Sequence, residues 1–233
     1  MKISVFGVTD VTLGKHNVKD PRLDQADKLV EAKKKVYVQV DLVEAAEAAN
    51  ADAILTDPDS QADLILQDLE FVETRLSRNP PAEEKSVMEK LKAGLEKSEF
   101  VFQAGLSPAE LQLIAPYNLL TQRPVIVAEK AAFADLSPVL IKALQTSGYI
   151  SFLTVGGKEN RAWLIKKGTT AWDAAGSIHT DLQKGFIRAE VISFDDLINC
   201  GGETQAKRAG KMRLETKDYI MQDCDVTNFR FSK

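Results

Sequence analysis

The chain has 233 residues, 44% of them hydrophobic and 27% charged, with a formal net charge of −4. That composition supports a buried core in one large or two modest domains and excludes a fibre or a disordered chain. No apolar run approaches the roughly eighteen residues of a membrane span, and the opening MKISVFGVTD has one Lys and no long apolar stretch before its first Asp, so no membrane segment or leader is expected and the chain reads as cytoplasmic.

The opening KISVFGV alternates and is rich in Val, Ile and Phe, which predicts a strand ending at Gly7. After a loop, Arg22 to Lys35 predict a helix, with Leu23, Ala26, Leu29 and Val30 on one side and basic residues at its end, where the helix dipole favours them. VYVQVDLV predicts a second strand, and Ala45 to Ala49 a short helical piece leading to the apolar DAIL. From Ser60 the period becomes helical: Ile65, Leu69, Val72 and Leu76 recur at steps of four, three and four. Asn79, Pro80 and Pro81 interrupt it, and Met88, Leu91 and Leu95 resume it, so residues of about 60–99 predict a helical hairpin, either a solvated structural arm or one that binds a partner.

Ser107, Pro108 and Glu110 spell a capping box with Pro at the first helical position, starting a helix that runs to about Asn118. RPVIVAE predicts a third strand, Leu136 to Ser147 a helix, and YISFLTV a fourth strand. This alternation is that of a parallel α/β sheet. Beyond Gly156 and Gly157 the texture changes. AWLI, GFIRAEVI, YIM and VTNFRF read as short strands between helices near Ala171 to Ser177 and Asp195 to Asn199, an α+β domain separate from the first core.

The run ISFLTVGGKENRAWLIKKGTTAWDAAGSIHTDLQKGFIRAEVISFDDLINCGGETQAKRAGKMRLETKDYIMQDCDVTNFRF resembles the C-terminal domain of the YchF-type (Obg-like) ATPases, a TGS domain of β-grasp fold. Upstream, DPRLD at Asp20 to Asp24 and DLEFVETRL at Asp68 to Leu76 resemble segments of the same family in the same order. The resemblance implies a degenerate, P-loop-NTPase-like α/β core over 1–159, with the hairpin inserted, and a TGS domain over 160–233.

In that family the first strand leads into a P-loop whose backbone N–H groups and Lys hold the phosphates. Here, counting from Gly7, the Gly-Lys-Ser positions hold Thr12, Leu13 and Gly14. Counting from Gly14 and Lys15, the first glycine becomes Thr9 and the magnesium-binding hydroxyl becomes His16. Asn17, Val18 and Lys19 alone separate this segment from DPRLD. Asp41 matches the metal-coordinating Asp of the DxxG motif, but Glu44 takes its Gly position, and the base-reading Asn-x-x-Glu falls on Glu129 to Ala132. Gly7, Gly14, Lys15 and Asp41 are therefore taken as remnants, and the chain is expected to hold no cofactor and to be a non-enzyme. The alternative is a residual ATP- or GTP-binding hydrolase using Lys15 in a distorted loop.

From Asn160 onward 12 Lys and Arg stand against 10 Asp and Glu, a net +2, while the residues before it carry −6. The C-terminal part is thus the better surface for a polyanion, and the resemblance implies association with RNA, the ribosome or a regulatory protein. The candidate binding residues are Lys166, Lys167, His179, Lys184, Arg188, Lys207, Arg208, Lys211 and Arg213, with the hairpin as a separate surface for a protein partner. His179 reads either as a helix-end histidine satisfied by a neighbour or as part of that surface. Phe186, Phe194 and Phe229, which could stack bases if exposed, read as core at strand spacing. Cys200 and Cys224 lack the close pairing of a zinc site and are expected to be reduced thiols. Cys224 stands where the family has a turn glycine; positive φ would strain it by about 1 kcal/mol, so the turn is expected to have shifted type.

Overall fold

The computed structural model describes residues 1–232 and divides them into two units. The first is Met1–His16 with Val40–Ser147, and the second is Asn17–Gln39 with Gly148–Lys233.

In the first unit, β1 (Lys2–Phe6) lies between β4 (Val38–Val43) and β5 (Ala53–Thr56), and β6 (Val125–Val127) follows β5, all parallel. The outer strand beside β4 is β2 (Gly14–Val18). Strands covered on both faces read as continuous apolar runs, and Ile3, Ser4, Val5 and every residue of β5 are buried accordingly. Buried Ser4 is satisfied by donating through Oγ to the Glu44 carbonyl at 3.1 Å.

The helical hairpin is α2 (Gln61–Ser77) and α3 (Ala82–Leu95), joined through Asn79 at φ +50. Its apolar stripe, including Leu64, Ile65, Val72, Met88 and Leu91, packs with Ile54, Ile114 and Val125 in one buried cluster. Two polar clamps fix its geometry. Asp68 is buried and accepts from Leu120 N (2.8 Å), Thr121 N (2.7 Å) and Thr121 Oγ1 (2.6 Å). Burial raises its pKa, and those hydrogen bonds oppose the rise. Across the hairpin, Arg75 grips Glu84 with two hydrogen bonds (2.5 and 3.0 Å) while Tyr117 donates to the same carboxylate at 2.6 Å. The remaining helices of this unit are α4 (Pro108–Ile114) and α5 (Leu136–Thr146). The capping box of α4 forms as its sequence predicts, Ser107 accepting from Glu110 N and Glu110 from Ser107 N.

The second unit is built on a six-stranded sheet. β7 (Tyr149–Thr154) pairs antiparallel with β8 (Glu159–Lys166) and parallel with β11 (Val226–Phe231). β11 runs antiparallel to β9 (Phe186–Ile192), and β10 (Arg213–Glu215) closes that edge. At the other edge β3 (Lys34–Val36) lies parallel to β8. Helices α6 (Ala171–Ile178) and α7 (Thr180–Lys184) cover a core of Phe152, Ile165, Ala189, Val191 and Phe229. α1 (Pro21–Leu29) packs with α8 (Phe194–Cys200) and β8, and α9 (Glu203–Arg208) follows α8.

The expected boundary at 159/160 therefore moves. YISFLTV belongs to the second sheet because its residues pair with β8 and β11, and the predicted VYVQVDLV strand divides into β3 and β4, which lie in different sheets. The helix expected over 22–35 stops at Leu29, since Lys34–Val36 is taken up by pairing with Glu159–Arg161. Here tertiary pairing overrides a local helical pattern. Segment 17–39 is further tied down by Asn160, which is fully buried. Its amide donates to Asp27 Oδ1 (2.7 Å) and the Val30 carbonyl (2.5 Å) and its oxygen accepts from Gly156 N (3.1 Å).

Both clamps of the hairpin can be tested. Asp68→Asn leaves one oxygen to face three donors, and stability should fall by about 1–3 kcal/mol in denaturant titration. Glu84 is held below the ordinary value of 4.5 by Arg75 and then Tyr117. Its contribution is present above that value and lost as pH falls through the depressed one. Below about pH 5 the stability of the wild type should decline more steeply than that of Glu84→Gln.

Candidate functional site

The parallel strands β1, β5 and β6 end side by side, and the carboxyl edge of such a sheet is where α/β proteins place ligands. Asp57, Asp59, Ser60 and Lys130 meet there. Asp57, 2% exposed, accepts from Ser60 N at 2.8 Å. Hydrogen bonds from Ser60 hold its carboxyl below the usual range, with Lys130 adding to the effect. Lys130 Nζ lies 2.8 Å from Asp59 and 3.8 Å from Asp57. Ser60 Oγ donates to the Gly7 carbonyl at 3.3 Å, and a Cβ on Gly7, whose φ is +72, would lie 2.1 Å from that oxygen. Gly7 is thus required by the close approach of Ser60.

Of the four residues assigned as remnants, Gly7 lies here and the other three do not. Gly14 and Lys15 lie on the outer strand β2, and His16 Nε2 is 2.6 Å from the Thr12 carbonyl. Asp41 is opposite Lys2 in the β1–β4 register, five residue steps and about 16 Å from Gly7. Asp57 and Lys130 went unrecognised in the sequence. Their one legible signal is position, an Asp directly after a short buried strand.

In the second unit the candidate cations separate into groups. Lys166 and Lys167 are at the end of the sheet where β7 begins, with Lys166 Nζ 3.6 Å from the Tyr149 ring centroid. Lys184 and Arg188 lie at the opposite end, where β9 begins and Arg188 faces Arg230 in register. Lys207 and Arg208 end α9 and are exposed, with no ion-pair partner among the described residues. Lys211 pairs with Asp196 at 3.2 Å.

Two more of the expected binding residues have structural partners. Arg213 donates to Glu215 (3.0 Å) and to Tyr219 Oη (2.8 Å), and Tyr219 donates to buried Asp225 (2.9 Å). Burial, with Asp225 beside it, pushes the Tyr219 hydroxyl up to about 12. His179 Nδ1 accepts from Asp181 N at 3.1 Å and so caps α7, which is the helix-end alternative. Phe229 is buried and Phe186 packs beside it, both within the core. Cys224 keeps φ +62, so the turn has not changed type; its N–H donates to the Ser151 carbonyl at 2.6 Å. Burial pushes its thiol up to about 12.

Comparison with known proteins places this geometry. The YchF-GTPase C-terminal family, described as a protein of unknown function (DUF933), matches residues 149–232. The ribosome-binding ATPase YchF of Haemophilus influenzae is 37% identical over 203 residues, covering 64% of this chain and 56% of that protein. The chain is similar to YchF-type ATPases over most of its length, and residues 149–232 match that family's C-terminal domain. Obg-like ATPase 1 of Oryza sativa subsp. indica is 30% identical over 235 residues, covering 73% of this chain and 60% of its own length. The Schizosaccharomyces pombe YchF GTPase shares the fold with a TM-score of 0.72 at 20% identity, over 98% of this chain and 97% of that one. The chain thus spans little more than half the length of the curated relatives it matches. Because these relatives are named for nucleotide hydrolysis, the expectation of a non-enzyme, drawn from the departures at the P-loop, DxxG and Asn-x-x-Glu positions, is corrected. Among the described residues no helix is long and apolar enough to cross a membrane.

The two thiols should differ in reactivity. Under native conditions iodoacetamide should modify half-buried Cys200 and spare Cys224, and in denaturant both should react, as read by mass spectrometry.

Proposed function

We propose that the chain associates with the ribosome through its C-terminal unit, a β-grasp domain of TGS type, by contacts to RNA phosphates. The observation that carries this reading is that the Haemophilus influenzae relative is named a ribosome-binding ATPase while the family match falls on residues 149–232. Charge supports it. The +2 carried from Asn160 onward contrasts with −6 before it, and Lys184, Arg188, Lys207 and Arg208 are exposed. Lys211 and Arg213 contribute less, because their charges are already met by Asp196, Glu215 and Asp225. The mixed sheet with α6 across one face suits a β-grasp assignment.

The helical hairpin offers a protein partner a separate surface. Phe71, Arg75, Arg78 and Tyr117 line a groove of about 520 Å³ there, with Phe71 37% exposed.

The ribosome reading is tested by co-sedimentation at low and high salt. Phosphate-driven binding should weaken steeply as salt rises. The double change Lys207→Glu with Arg208→Glu should lower the salt slope by about two, one for each phosphate that these side chains neutralise. Binding that is insensitive both to salt and to these changes would move the interface to the first unit.

A further inference from the structure

α6 turns its small residues inward. Ala171, Ala174 and Ala175 are fully buried against the second sheet, while Trp172, between them in sequence, is 42% exposed. The alanines fill the core-facing positions of the helix, so the indole is not needed to complete that packing. A large aromatic left this open is a common anchor for a partner.

Its surroundings are held by backbone hydrogen bonds from three segments. Ala171 N donates to the Tyr219 carbonyl (2.7 Å), Trp172 N to the Lys217 carbonyl (3.2 Å) and Met221 N to the Thr169 carbonyl (3.0 Å). Thr170 and Ile220 form a β-bridge, and Ile220 is itself 44% exposed. Lys167 N donates to the Gly148 carbonyl at 2.8 Å, which anchors the lysine pair at the base of the same turn. The result is a rigid platform of Trp172 and Ile220 beside Lys166, Lys167 and Lys217, all three of them exposed and without an ion pair among the described residues. Two acids are near. Asp173 is occupied by Thr170 Oγ1 (2.8 Å) and Gln183 Nε2 (3.4 Å), and exposed Asp218 leaves the lysines in excess.

We infer that Trp172 and the lysines around it form a stacking site for an unpaired RNA nucleotide. An aromatic face accepts any base, and neighbouring cations neutralise the phosphates on either side of it, which is how unpaired strands are held without sequence preference. This site rests on the reading of the C-terminal unit as the ribosome contact and adds what that reading lacks, a base-stacking residue and the state of the RNA it takes. Lys217 and Trp172 are new to it. Lys166 and Lys167 acquire a shared location, whereas Lys184 and Arg188 lie at the other end of the sheet.

The test uses the full chain and a single-stranded oligoadenylate of about ten nucleotides. Binding should quench tryptophan emission. Read by fluorescence anisotropy of the end-labelled oligonucleotide, which needs no protein tryptophan, Trp172→Ala should weaken binding about tenfold and Trp172→Phe should retain most of it, because the ring remains. The triple change Lys166→Glu, Lys167→Glu and Lys217→Glu should reduce the salt dependence of the same titration, and its surface positions keep the comparison valid if Trp172→Ala perturbs folding. No binding by the wild type, or equal binding by Trp172→Ala, overturns the inference. Ribosome co-sedimentation run in parallel separates the two readings. A wild type that binds the oligonucleotide through Trp172 but does not sediment with ribosomes upholds this site and removes the ribosome reading. A chain that sediments with ribosomes while Trp172→Ala changes neither assay does the reverse.

Discussion

A single buried carboxamide ties segment 17–39 into the second unit. Asn160 is 0% exposed and uses both amide hydrogens and its oxygen, on Asp27, Val30 and Gly156. One side chain thereby joins α1, the chain that leaves it and the β7–β8 turn, and the β3–β8 pairing lies directly alongside. A buried amide left unsatisfied would be costly, so this arrangement tolerates little slippage. Ion pairs strengthen the same union, with Arg22 reaching Asp223 at 2.7 Å and Lys35 reaching Asp24 at 2.5 Å.

That constraint explains what could and could not be read from the sequence. The hairpin, the α4 capping box and the strands β1 and β6 were legible because each is written in local periodicity or end chemistry. The division of VYVQVDLV between two sheets was not. Alternating Val and polar residues specify strand, and nothing in the eight letters says that Val36 will pair with Arg161 and Leu42 with Ile3. GKHNV, which became β2, has one apolar residue in five and carries no strand signal. Such misses belong to long-range pairing, which outweighs local preference.

The candidate site divides along a similar line. Family resemblance located the C-terminal unit, and composition located its excess of positive charge. Neither distinguishes a cation that faces solvent from one already engaged. Arg213 and Lys207 look alike as letters, yet one is held by Glu215 and Tyr219 and the other ends a helix in water. Trp172 was unreadable for the opposite reason. Beside three alanines it suggests a buried helix face, and the spacing that turns it outward emerges only once the alanines are seated.

The discontinuity of the second unit also has a temporal side. During synthesis α1 and β3 emerge before most of the first unit, but β8, their partner, follows about 120 residues later, a delay on the order of ten seconds at typical elongation rates. Through that interval Leu23 and Ala26, buried in the finished protein, have nothing to pack against, while residues 40–147 can condense on their own. The order of folding is therefore inverted relative to the order of emergence. The earliest strand in the second sheet is among the last to find its place, and loop closure of this length favours slow, non-local assembly.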